Sequence, residues 1–183
     1  MLAPRLVYYF LGLFSFLMVS CGDKRVEAIE NEIDYFQFHR INLTKFDLNA
    51  SIYLPDASAG IGTALKPEII HEEGGYKWQL SVGRYFRIYI EDYGNQRFLF
   101  EEKFDEIKNN KVYRTQIKMR DGSIVIYTKQ LKSKLNNDNI ETYYIYAVVK
   151  IKGYYYQITN RVEGNSKKEV EFMYKSIKSI KEI

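Results

Sequence analysis

Few side chains in this 183-residue chain could do chemistry, and their spacing excludes most kinds. There is one cysteine, Cys21, and there are two histidines, His39 and His71. "HEE" at 71–73 lacks the second histidine that a zinc-binding helix places four residues on. A single histidine at a strand end beside carboxylates reads as a surface residue, not a metal ligand. "GIGTA" at 60–64 has neither the full dinucleotide fingerprint nor the lysine of a phosphate loop, so it reads as a loop. No G-x-S-x-G nucleophile elbow occurs. Glu91-Asp92 and Glu101-Glu102 are sequence neighbours, so on a strand or helix their carboxylates diverge rather than pair as acid and base. The expectation is no catalytic residue, no metal and no cofactor, hence no enzyme.

Binding is the better supported class. Tyr85, Arg87, Tyr89 and Glu91 alternate along 84–92, opposite Phe86, Ile88 and Ile90. An exposed Tyr85-Arg87-Tyr89 stripe would suit a protein or glycan partner, because such side chains offer large contact area with a polar handle. The competing reading has a helix covering this face and Arg87 paired with an acid. Trp78 shares a strand face with Tyr76 and Leu80 and is expected in the core; the tyrosine runs at 143–146 and 154–156 are expected to pack on the sheet. Net charge is +4 with both signs interspersed, so no basic block points to nucleic acid.

Sheet must position these residues. Aromatics are 16% of the chain, with 17 tyrosines against three prolines, which favours strands over disorder. Alternation predicts strands over 46–54, 66–72, 76–82, 84–92, 112–120, 123–131, 140–151 and 154–160. Asp121-Gly122 and Lys152-Gly153 supply hairpin turns. In 112–120, Tyr113, Thr115, Ile117 and Met119 alternate with Arg114, Gln116 and Lys118, as a half-exposed strand does. In 140–151 both faces are apolar, so both must be covered. Two helices interrupt the strands. Residues 95–109 align Leu99 or Phe100, Phe104 and Ile107; residues 167–181 align Val170, Met173, Ile177 and Ile180, behind a Ser166–Glu169 capping box. Lys178, one step off that stripe, reads as solvent-facing. The fold class is therefore α+β, a mostly antiparallel sheet of about 6–8 strands with two main helices, 95–109 and 167–181. Either a helix covers each sheet face, or both helices cover one face and a long N-terminal segment the other.

The N-terminus, "LVYYFLGLFSFLMVSCGDKR" at 6–25, has one preceding positive side chain, Arg5, then an apolar run that Gly12 and Ser15 interrupt. A membrane span needs roughly 20 apolar residues, and Lys24 and Arg25 beyond the run leave such a helix without a clear inside. A plain secretory signal fits, but it leaves Cys21 an orphan thiol in an oxidising compartment. Leu17-Met18-Val19-Ser20-Cys21 resembles the lipobox of bacterial lipoproteins, with Met18 where leucine is usual. That resemblance implies a signal peptide over 1–20, lipidation of Cys21 by acyl chains such as palmitate, a tether over 21–32 and a single domain over 33–183. Two or three acyl chains, at about 0.8 kcal/mol per buried CH₂, make release negligible. Gly22, where an inner-membrane address would place aspartate, implies the outer membrane; Asp23, cancelled by Lys24 and Arg25, implies a domain facing the periplasm. Val26, Ile29, Ile33 and Phe36 recur at helical spacing, so the tether is expected to fold against the domain.

The strand ending "IYLPD", the hairpins and middle helix, and the closing "GYYYQITN…EVEFMYKSIKSIK" resemble the PsbP/DcrB-like α+β domain over roughly residues 44–181. The resemblance implies an envelope setting among adaptors and assembly factors, and brings no catalytic residues with it. Two functions are expected: a membrane-anchored, non-enzymatic envelope lipoprotein that binds a partner protein or assists assembly, or a glycan- or small-ligand-binding lipoprotein using surface tyrosines.

Overall fold

The computed structural model describes residues 33–62, 66–72, 74–132 and 141–183, and residues 33–183 form one unit. Among the described residues, ten strands and two α-helices make an α+β fold: β1 (Phe38–Asn42), β2 (Ala50–Pro55), β3 (Glu68–His71), β4 (Lys77–Val82), β5 (Phe86–Asp92), α1 (Leu99–Lys108), β6 (Tyr113–Asp121), β7 (Ile124–Leu131), β8 (Tyr143–Ile151), β9 (Tyr154–Asn160), α2 (Lys167–Lys178) and β10 (Lys181–Glu182). A seven-stranded sheet runs β3-β4-β5-β9-β8-β7-β6, and a three-stranded sheet runs β1-β2-β10, with every pairing antiparallel.

The two-faced strand β8 sits inside the large sheet with a helix on each side. Ile145, Ala147 and Ile151 join the main core, which takes Val170, Met173 and Ile177 from α2 and Ile52 and Leu54 from β2. Tyr146 faces the other way, into a smaller cluster with Val125 and with Phe100 and Ile107 of α1. The first of the two expected arrangements is therefore the observed one, with β2 of the small sheet packed against α2 in the same core. Burying an apolar stripe on each side satisfies β8 and both helices at once.

Local signals set the helix ends. The Ser166 hydroxyl accepts from the Glu169 amide, and the Glu169 carboxylate accepts from the Ser166 amide at 3.1 Å, so the expected capping box is formed. The helix stops at Lys178, short of 181. Its end is taken by Ser179, whose hydroxyl accepts from Tyr53 N at 2.8 Å, and the chain then adds β10 to β2. At α1, Gly94 has φ +62 and donates to the Asp92 carboxylate at 2.7 Å, a turn that holds residues 95–98 outside the helix.

Two expectations are corrected. A bulge between Ile117 and Met119 reverses the alternation of β6, so Met119 packs against the main core while Ile117 joins the α1 cluster. The same bulge aims Arg120 at α1, its guanidinium 4.4 Å from the Phe104 ring and 2.8 Å from a Glu101 oxygen. Residues 33–37 form no helix: Phe36 N donates to Asp34 Oδ1 at 2.8 Å, Phe38 N to Tyr35 O at 3.0 Å, and Phe36 is 81% exposed. The turn delivers Phe38 to β1, which periodicity had not marked. Val26, Ile29 and Cys21 lie outside the described residues. Among those described, no helix is long and apolar enough to cross a membrane.

Candidate functional site

Cross-strand register places one row of side chains on the α1 side of the large sheet. Gln79 lies opposite Tyr89, Tyr89 opposite Thr159, Thr159 opposite Tyr146, and Tyr146 opposite Val125. Directly paired residues share a face, so this row crosses the whole sheet. Its β7–β8 end is covered by α1, where the Tyr146 hydroxyl donates to Leu99 O at 3.3 Å. No described helix packs across its β3–β5 end.

That open half is polar and internally braced. Lys77 pairs with Glu91 at 2.8 Å, and Gln157 donates to the other Glu91 oxygen at 3.0 Å. The Lys77 ammonium also lies 5.1 Å from the Tyr89 ring centroid. The Glu91 hydrogen bond holds Lys77 above the ordinary lysine range, so the lysine keeps its charge at neutral pH. Arg87 Nε and Gln79 Nε2 both donate to Ser81 Oγ, at 3.3 and 3.2 Å. Ile70 at the β3 edge, opposite Gln79, is 44% exposed.

Two of the three residues expected to form a binding stripe are therefore together. Arg87 and Tyr89 are half-buried on this face, and among the described residues Arg87 pairs with Ser81, not with an acid. Tyr85 stands apart in the turn before β5, beside Gly62, with its carbonyl accepting from Asn165 at 2.9 Å. The residue is 41% exposed, and its ring lies under Arg84 at 5.7 Å. The sequence reading missed Lys77, Gln79 and Gln157. Their alternation with buried Trp78, Leu80 and Ile158 was visible, but that they border Tyr89 depends on pairing β9 with β5.

The histidines differ from one another. His39 is exposed, 3.7 Å from Asp56. His71 is not the expected surface residue: its side chain is 12% exposed and stacks on Trp78 at 4.5 Å. Nε2 must donate to Gly75 O, 3.0 Å away, because a carbonyl only accepts. Nδ1 lies 3.5 Å from Asp47. Trp78 is buried with its indole N–H donating to Phe46 O, whereas Tyr76, at the strand's start, is exposed. Among the described residues no three His, Cys, Asp or Glu side chains gather as metal ligands. Comparison with known protein families, with curated proteins and with solved structures finds nothing that matches this chain.

Proposed function

We propose that this chain is a lipid-anchored envelope protein whose domain binds a partner protein through the open half of the seven-stranded sheet. The observation that supports it is the pre-braced face of Lys77, Gln79, Arg87, Tyr89, Glu91 and Gln157. Side chains already held by one another lose little rotamer freedom on docking. Tyrosine and arginine are the side chains that concentrate binding energy at interfaces, and a polar surround suits a partner met in water. A glycan platform is the second reading. Tyr85 sits off the sheet face, leaving Tyr89 as the one ring of the Tyr85-Arg87-Tyr89 stripe upon it, so that stripe does not offer a sugar two stacked rings. The order of strands and helices is also the ground for the PsbP/DcrB-like likeness, which belongs to the same proposal, as does its non-enzymatic character.

A doubly substituted Arg87→Glu, Tyr89→Ala chain tests the surface. Crosslinking in intact envelopes, read on a native gel, should give a discrete complex for the wild type. The double variant should weaken it at least tenfold, whereas Lys167→Glu on α2 should not. A complex indifferent to both sets of substitutions would overturn the proposal.

The anchor has its own test. Cys21→Ser should abolish incorporation of a fatty-acid probe and release the domain from membranes. Fractionation and protease shaving of the same cells should place the wild type in the outer membrane, protected from outside. A wild type that never labels, or a serine variant that still does, sinks the lipid reading.

A further inference from the structure

Away from the open half-face, the last turn of α1 and the β6–β7 hairpin line an open-sided cavity of about 200 Å³. Lys129 of β7 lines it. Tyr127 lies two residues earlier on the same face, stacked on Tyr144 of β8 at 5.5 Å. The Lys129 ammonium stands 4.1 Å from the Tyr144 ring centroid and 5.2 Å from that of Tyr113. Two ring faces therefore hold the cation in place. Rings orient a charge without neutralising it, and among the described residues no carboxylate pairs with this one.

The rest of the lining specifies what could. Lys103 is committed to Glu106, 2.5 Å away, so among the described residues Lys129 is the cation of the lining that no carboxylate holds. Burial pushes the Lys129 ammonium below the ordinary lysine range, a penalty that a bound anion would relieve. Burial and then Tyr144 raise the Tyr127 phenol to about 12, so it stays protonated as a donor. Ile107 and the tyrosine rings supply apolar walls. The volume equals roughly seven waters and is smaller than the roughly 300 Å³ where drug-sized pockets begin. Among the described residues the lining thus offers one cation without a carboxylate partner, with Glu106 nearby, which favours a single negative charge and disfavours a dianion.

We propose that this cavity is a binding site for a small organic monocarboxylate, whose carboxylate meets Lys129 and whose apolar body lies against Tyr127 and Ile107. The site is independent of the sheet-face proposal, and either can fail alone.

Benzoate serves as the probe, titrated calorimetrically into the full chain in detergent, with benzyl alcohol and inorganic phosphate as comparators. Saturable benzoate binding is expected, at least tenfold tighter than either comparator. Lys129→Gln should weaken it tenfold or more. Lys150→Gln, which removes another lysine set over a tyrosine (Tyr155, 5.5 Å) but outside this cavity, should leave it within twofold. If Lys129→Gln melts without a cooperative transition, lysine ε-methylene NMR shifts in the wild type decide, and Lys129 should move most with benzoate. The proposal is overturned by benzoate binding that Lys129→Gln leaves unchanged, by benzyl alcohol or phosphate binding equally well, by largest shifts elsewhere, or by no saturation.

Discussion

Ile177→Asp should be among the most damaging single substitutions in this domain, costing about 4 kcal/mol or more in thermal or urea denaturation of the full chain. Ile177 is 2% exposed on the α2 stripe, between the large sheet and β2. A carboxylate there would have to be buried unpaired or protonated, and whole domains have only about 5–15 kcal/mol in hand. The comparison variant is Lys178→Ala. Lys178 is not the simple solvent-facing residue that helical spacing suggests: its ammonium lies 3.0 Å from Asp121 Oδ2, which also accepts from the Tyr174 hydroxyl at 2.7 Å. These two contacts tie α2 to the β6–β7 turn and hold the Asp121 carboxyl below its usual range, the Tyr174 bond contributing most. A partly exposed pair of this kind is worth about 0–1 kcal/mol, so Lys178→Ala should lose no more than that. Equal losses for the two variants would mean that α2 buries a different face.

The second large effect is expected at Gly164, between β9 and α2. Its φ is +77°, a left-handed conformation that costs an L side chain about 1–2 kcal/mol. An added Cβ would also lie 2.9 Å from Tyr144 Cζ and 3.0 Å from Tyr143 O, with Thr142 Cγ2 closer still. The backbone cannot easily retreat. The next residue, Asn165, bridges Tyr143 in both directions at 2.8 and 2.9 Å, and its side chain bonds Tyr85 O, Glu169 and Asn160. Gly164→Ala should therefore cost about 3 kcal/mol or more in the same denaturation experiment. Gly94→Ala isolates the conformational part, because Gly94 has φ +62° with nothing within 4 Å of an added Cβ. It should cost about 1–2 kcal/mol. If both glycine variants melt alike, crowding around Gly164 contributes nothing.

Features that depend on a few neighbouring residues were legible in the sequence. The Ser166–Glu169 capping box, the α2 stripe, the Lys152-Gly153 turn and the two apolar faces of β8 all involve residues within about a dozen positions of one another. Turn chemistry and side-chain periodicity act at that range. For the same reason, the α+β class and most strands could be read directly. The short strands β1 and β10 could not, since two to five residues give too little alternation and exist as strands only because β2 has two edges to pair. Nor could the β6 bulge, which sends Met119 and Arg120 to opposite sides from those that alternation assigns.

The candidate sites divide along the same line. Arg87 and Tyr89 are adjacent on one strand, so their common face follows from the two-residue period alone. Tyr85 obeys the same period but falls in the turn, where the strand geometry that would align it has not begun. Lys77, Glu91 and Gln157 meet only because β5 pairs with β4 on one side and with β9, more than 60 residues later, on the other. The cavity at Lys129 likewise needs α1 to lie across β6 and β7. Local sequence determined which side chains share a strand face or a helix stripe. Tertiary structure decided which faces meet, because long-range pairing is selected by burial of both sides of the sheet together, a property of no single segment.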